Sequence, residues 1–389
     1  MEFLGAFLIV MIFMFVGEWV SSLTKAYVPS IFISAVLFTI GFWTILPKDI
    51  VAKASFGSQF VGVCIPILLV HLGTMMNIRQ LLNQWRAVTI ALAGTLGTII
   101  LTLTVGTVLF DWHTVIAAIP PLTGGLVSAL LMTDGLKAAG LSTLVALPVS
   151  MFIMHSMIGY PLTSVMLKKE GRRLLREHRG NPQVVAAEKE VVDTEPKALF
   201  KLPAKYNTSA FMLAKVGAVG LLSIWVAGLM NDAINANVIA LVLGVIGHQI
   251  GFLEKEVLNK TKVFNWLMYG LMAYVLSQLS VTTPDMLGTI LIQIVVLIIL
   301  GIFGMFIASW ILSKPMKMSK EMAFASSLTA LFGFPADYVL TNEVIGHLTT
   351  DENERAYLTS HMMPKMLVGG FATVSVASVI IASVFLKLL

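Results

Sequence analysis

One cysteine, Cys64, stands in a chain of 389 residues, so no intrachain disulfide can form. It lies inside an apolar run, where a small buried packing residue is the natural reading. Charge is equally scarce. Asp, Glu, Lys and Arg make up 12% of the chain, against 57% hydrophobic residues and a mean hydropathy of +0.88. A soluble domain carries about 25% charged residues. No Gly-Lys-Ser/Thr phosphate loop occurs, which argues against direct ATP drive. No Cys/His spacing suits a metal, and His-x-x-x-His patterns are missing, so neither an enzyme nor a resident metal is expected. The net charge of +5 comes from basic residues clustered between apolar segments, and nucleic acid is not an expected partner.

What remains is apolar sequence in long runs. Stretches of roughly 20 apolar residues recur along the whole chain, the signature of a polytopic helical membrane protein. Residues 1–20 lack a basic leading segment and carry Glu2, so they read as a first span and not as a cleaved signal. Spans are expected near 3–20, 27–46, 57–76, 87–110, 141–167, 208–230, 236–253, 263–281, 287–312 and 357–386. The expected class is an all-α polytopic membrane protein with about ten transmembrane helices. A polar, basic segment at 168–205 separates the halves, and its run 168–179 reads as a solvated linker helix. If that segment is cytoplasmic, twenty Lys and Arg residues share its side, against only Lys48, Lys53 and Lys387 opposite. Both termini are then expected outside, as the bias of basic residues toward the cytoplasm dictates.

Two regions do not read as uninterrupted helix. Residues 120–140 carry Pro120, Pro121, Gly124 and Gly125 together with Thr123, Ser128, Thr133 and Asp134. Backbone that leaves the helical ladder at membrane depth is tolerated only inside protein or beside a water-filled cavity. The region is therefore expected to form a re-entrant hairpin near 114–135. A second such region, near 321–346, holds Ser326, Ser327, Thr329, Gly333, Pro335, Asp337, Thr341, Asn342 and Glu343.

The halves echo each other. A shift of 206 places Leu122-Thr123 on Leu328-Thr329 and His155 on His361, and a shift of 207 brings His71 onto Gln278. Polar residues are rare in such spans, so their coincidence carries more weight than any match of Leu or Met. Residues 1–167 and 206–389 are thus expected to be repeats of five spans each, and five being odd makes them inverted. Inverted repeats with discontinuous helices are the common build of secondary transporters, where broken helix ends offer unpaired backbone groups to ions and carboxylates.

The candidate substrate contacts are Thr123, Gly124, Gly125, Ser128, Ser327, Thr329, Gly333 and Lys365. The candidate cation ligands are Asp134, Thr133, Asn342 and Glu343. Asp134 has a second reading, as an interfacial cap on the following helix. Lys365 reads either as a counter-ion to Asp337 or Glu343, or as a side chain reaching to the interface. His155 and His361 hold equivalent positions and are candidates for the site or for proton coupling. His71 and Gln278 read as glue between helices.

The order of spans, the large central loop and one Gly-bearing interruption in each half resemble the bacterial sodium–glutamate symporters. More distantly they resemble the 2-hydroxycarboxylate transporters. Thr123-Gly124-Gly125 is similar to the start of the Gly-Gly-x-Gly signature of those hairpins, and Val70-His71-Leu72-Gly73-Thr74-Met75-Met76-Asn77 to the end of their third span. Where the family's signature continues with His and Gly, Leu126 and Val127 stand here, and the second region has the single Gly333. The resemblance implies Na⁺ coupling, a homodimer in the bacterial inner membrane, and elevator-like movement. The sequence reading is thus a secondary transporter of a small anionic or zwitterionic solute, driven by Na⁺ or H⁺. The alternatives are a channel or passive exporter, or a membrane sensor that does not transport.

Overall fold

The computed structural model describes residues 2–75, 84–180, 208–231, 234, 236–281 and 284–389. Among them there is helix and connection but no strand. In chain order the main helices are α1 (Glu2–Leu23), α2 (Ser30–Thr44), α3 (Ser58–Thr74), α4 (Trp85–Leu109), α5 (Trp112–Thr123), α6 (Leu126–Ala138) and α7 (Leu147–Gly180). They are followed by α8 (Ser209–Leu229), α9 (Ala236–Gln249), α10 (Phe264–Ser277), α11 (Pro284–Ser313), α12 (Lys320–Leu328), α13 (Ala336–Leu348), α14 (Glu352–Gly370) and α15 (Ser378–Leu386). A π-helical segment, Phe371–Ala377, joins α14 to α15.

Five of these are long and apolar enough to cross a membrane: α1, α4, α7, α8 and the stretch Ile290–Ser313 of α11. The helices α2, α3 and α9 are apolar but have 15, 17 and 14 residues. At about 1.5 Å per residue they fall short of a ~30 Å hydrocarbon core. Hydropathy overcounted their length because it included the connections. Pro29 stands just ahead of α2, and Gly251, at φ 79°, follows the end of α9.

One boundary moved for a physical reason. The polar segment was expected from residue 168, yet α7 continues unbroken to Gly180. Its charged start is packed and not solvated: Lys168 and Glu170 are 4% and 2% exposed. Glu170 accepts from Arg173 Nε and Nη2 at 2.9 and 2.7 Å and from Ser319 Oγ at 2.7 Å. Lys168 lies over the Tyr27 ring, 3.3 Å from its centroid, and donates to the Lys25 carbonyl. Arg79 and the basic residues of 181–205 lie outside the described residues.

The chain divides into two compact units. The first comprises Met1–Phe7, Val51–Asn83 and Leu175–Val275. Its centre is the crossing of α3 and α9, where Gly73 and Gly244 each meet the other helix's backbone with no room for a side chain. His71, predicted to glue helices, accepts a hydrogen bond at Nδ1 from Leu258 N, 3.2 Å away, and its ring lies 5.0 Å from that of Phe264. Thr74 Oγ1 accepts from Glu256 N, and Lys215 pairs with Glu254 at 2.5 Å between largely buried side chains. These contacts strap the 250–263 connection onto the helices.

The second unit comprises Leu8–Ile50, Gln84–Leu174 and Leu276–Leu389, and it contains both interrupted regions. Its two long helices α4 and α11 cross at Gly97 and Gly304, where each glycine faces the other's carbonyl. Thr98 Oγ1 seals the crossing with a 2.9 Å bond to the Gly301 carbonyl. Small residues permit such close backbone approach between apolar helices. The two glycines are 207 residues apart, the shift seen in the sequence.

Candidate functional site: two helix breaks in one unit

Local sequence sets where each broken helix starts and stops. Asp111 caps α5, accepting from Thr114 N at 2.7 Å, and Ser319 caps α12, accepting from Met322 N at 3.1 Å. Each such cap contributes about 1 kcal/mol to its helix. The first break follows Thr123: Gly124 and Gly125 are extended, and α6 restarts at Leu126 without a side-chain cap. The chain then runs back. Trp112 Nε1 reaches the Leu388 carbonyl, Gly124 abuts Ser378, Gly125 abuts Val374 and Gly135 abuts Leu386. The arms before and after the break therefore lie along the same C-terminal helix, with the break at its inner end.

The second break follows a single 3₁₀ turn, Thr329–Leu331. Gly333 adopts φ 62°, a left-handed conformation that costs most residues with a Cβ about 1–2 kcal/mol. A cis Phe334–Pro335 bond follows, and α13 begins at Ala336. Its return arm lies along α14: Asp337 is against Gly370, and the far end is tied where Thr349 Oγ1 meets Glu354.

Both breaks meet one residue. A Cβ on Gly125 would lie 2.7 Å from Val374 Cγ1, and one on Gly333 would lie 2.9 Å from Val374 Cγ2. Val374 sits in the π-helical segment between α14 and α15, a rare distortion found often at functional sites. The helices leading into the breaks are seated by glycines 207 residues apart. Gly94 of α4 receives Ser327, and Gly301 of α11 receives Leu122, each with only 2.6 Å to spare for an added Cβ.

The sequence candidates fall into three groups. Thr123, Gly124, Gly125, Ser128, Thr329 and Gly333 lie at the breaks, and the side chains of Thr123, Ser128 and Thr329 are fully buried. Thr123 donates to the Ile119 carbonyl at 3.0 Å, and Ser128 donates to Pro120 and Gly125 carbonyls at 3.0 and 2.7 Å, tying one arm to the other. Thr329 donates to the Ser326 carbonyl at 2.6 Å.

A second group is buried or half-buried and turned to other work. Ser327 donates across to the Ile90 carbonyl at 3.1 Å, and Thr133 to Ala129 within its own helix at 2.8 Å. Glu343 accepts from Ser21 Oγ, Ser30 N and Ser30 Oγ, so it fastens the start of α2. Lys365 donates to the His361 carbonyl at 2.6 Å, one turn back along α14. His155 and His361 keep the equivalence seen in the sequence: Nδ1 bonds the carbonyl four residues back, Met151 at 2.7 Å and Tyr357 at 2.9 Å. His155 is fully buried and His361 half-buried.

The third group is exposed. The Asp134 side chain is 77% exposed, 3.4 Å from Lys137, near the end of α6 and more than two turns from the break. Asn342 is exposed on α13.

Sequence reasoning passed over Gly370 and Val374, and it gave Asp337 no role of its own beyond a partner for Lys365. Asp337 is fully buried, its Oδ1 accepts from Tyr338 N at 2.6 Å, and its Oδ2 has no hydrogen-bond partner among the described residues. The Ser326 hydroxyl and His155 Nε2 are likewise buried and unpartnered. Compared with known proteins, the chain matches no family model and no curated protein sequence.

Proposed function

We propose that this chain is a secondary active transporter of a small carboxylate or amino acid, coupled to Na⁺ or H⁺. The observation that carries this reading is the convergence of two helix breaks on Val374 in a single compact unit. Broken helix ends at membrane depth expose backbone N–H and C=O groups that bind anions and cations without burying an unpaired side-chain charge. In this reading the solute contacts Thr123, Gly124, Gly125, Thr329 and Gly333, and both breaks travel together in an elevator-like movement.

The inverted-repeat reading draws support from the crossing of Gly97 and Gly304, which share the 207-residue shift and touch each other. Ten crossings and two re-entrant hairpins would then be built from the five long helices and the shorter apolar ones. A bacterial inner-membrane homodimer is the setting that the resemblance to sodium–glutamate symporters suggests, and the distribution of Lys and Arg favours a cytoplasmic 168–205 segment.

The test is thermal stability of the purified protein against a panel of amino acids and carboxylates, each in NaCl and in choline chloride. A ligand that binds only the native state stabilises it by about 2.7 kcal/mol at a hundred times its Kd. One solute is expected to raise the melting temperature and to drive saturable, gradient-dependent uptake into vesicles. Flux that neither saturates nor responds to an imposed ion gradient would instead mark a passive pore.

A further inference from the structure

The second break holds a carboxyl group that the fold has buried without completing its bonds. Asp337 Oδ2 points at α14, where a Cβ on Gly370 would lie 2.5 Å from it. The adjacent Gly369 meets the Ser326 carbonyl and Thr329 Oγ1, each 3.0 Å from where its Cβ would be. A paired glycine on one helix thus makes room for a carboxyl, a hydroxyl and a carbonyl from the break, and of these Asp337 Oδ2 has no partner among the described residues.

Among the described residues no fixed cation answers this carboxyl. On α14, Lys365 turns back to the His361 carbonyl. On α12, Lys320 and Glu321 stand in the first turn, at the opposite end from Ser326, and Lys320 lies over the Trp310 ring at 4.4 Å. On α13, Glu343 is bound by Ser21 and Ser30. The helix α2 carries no charge. From α7 come His155, whose Nδ1 bonds the Met151 carbonyl, and the buried Tyr160, whose ring lies 5.3 Å from that of Phe332, and neither is a fixed cation. A bare carboxylate in so dry a place is costly and calls for a proton or a cation.

We propose that Asp337 is the seat of the coupling cation: a monovalent cation held at Oδ2, either a proton or Na⁺. The role in transport rests on the function proposed above, whereas the binding chemistry does not. Neutralising Asp337 completes the second break, so the loaded break closes against Gly370 and the empty one does not. Coupling then needs no conformational relay beyond the break itself.

The experiment uses the purified full chain, with Na⁺ and H⁺ as the only probes. Melting temperature is followed as NaCl replaces choline chloride at fixed pH, and separately as pH is lowered in choline chloride. The wild type is expected to gain stability in one arm, which names the cation. Asp337→Asn is expected to lose that gain, and the readout is the difference between the two proteins, so that titration elsewhere cancels. Gly370→Ala keeps the charge but crowds it, and should shift the response at least tenfold in cation concentration. An unresponsive wild type, or an Asp337→Asn response equal to it, overturns the proposal. If Asp337→Asn does not fold, an unchanged response in Gly370→Ala overturns it. Solute binding that persists without any cation response would fail this proposal alone and leave the transporter reading standing.

Discussion

At the first break Thr123 and Ser128 spend their hydroxyl protons on carbonyls of the same two arms, while at the second the Ser326 hydroxyl and Asp337 Oδ2 have no partner among the described residues. The two interruptions look alike on paper, and both are seated by glycines and both touch Val374. They differ in how completely the protein itself satisfies them. A self-satisfied break is a joint that holds its shape without help. An unsatisfied one costs about 1–3 kcal/mol for each orphaned buried group, and such a cost is kept where a ligand or ion repays it.

The largest expected contrast is between the glycines. Gly333→Ala meets Val374 at 2.9 Å and must also hold a left-handed φ, so a loss of about 2–4 kcal/mol is expected in thermal unfolding. Gly125→Ala meets Val374 at 2.7 Å with an ordinary φ of −79° and should cost about 1–3 kcal/mol. Equal losses would remove the backbone strain from the comparison.

Next come the serines, whose effects should differ in sign or nearly so. Ser128→Ala removes the shortest hydrogen bond to each of two carbonyls and should destabilise by about 1–2 kcal/mol. Ser326→Ala removes a hydroxyl that bonds nothing among the described residues and should leave the melting temperature unchanged or slightly raised. Similar destabilisation by both would mean that Ser326 has a partner. The smallest effect belongs to Asp134→Asn, which breaks only an exposed pair with Lys137 and should move neither stability nor cation response.

Much of this was legible in the chain. Gly124, Gly125, Gly333 and Pro335 mark the breaks, whereas Pro120 and Pro121, expected to interrupt the helix, lie inside α5. Thr123 and Thr329, the polar pair behind the proposed repeat, are both fully buried hydroxyls at a break, uncommon among leucines. The choice of carboxylate was harder to read. Asp134 and Asp337 both follow a break, but Asp337 is in the first turn of its returning helix, and Asp134 is over two turns along, beside Lys137. Only the register of the restart distinguishes the tip from the far end, and that register depends on where the helix restarts. Gly370 and Val374 were out of reach for another reason. A π-helical segment has no sequence signature, and a glycine pair in an apolar span acquires meaning only when the group packed on it is known. The pair Gly97 and Gly304 lay within reach, at the shift already in use, but glycines are frequent in such helices and only the crossing shows which two touch.

The asymmetry of the two breaks is best tested by amide hydrogen exchange at 120–128 and at 326–338, in NaCl against choline chloride and at two pH values. The cation that fills the site is expected to slow exchange at 326–338 and to leave 120–128 as it was. Protection that appears first or equally at 120–128 would contradict the assignment of the second break as the one the cation completes.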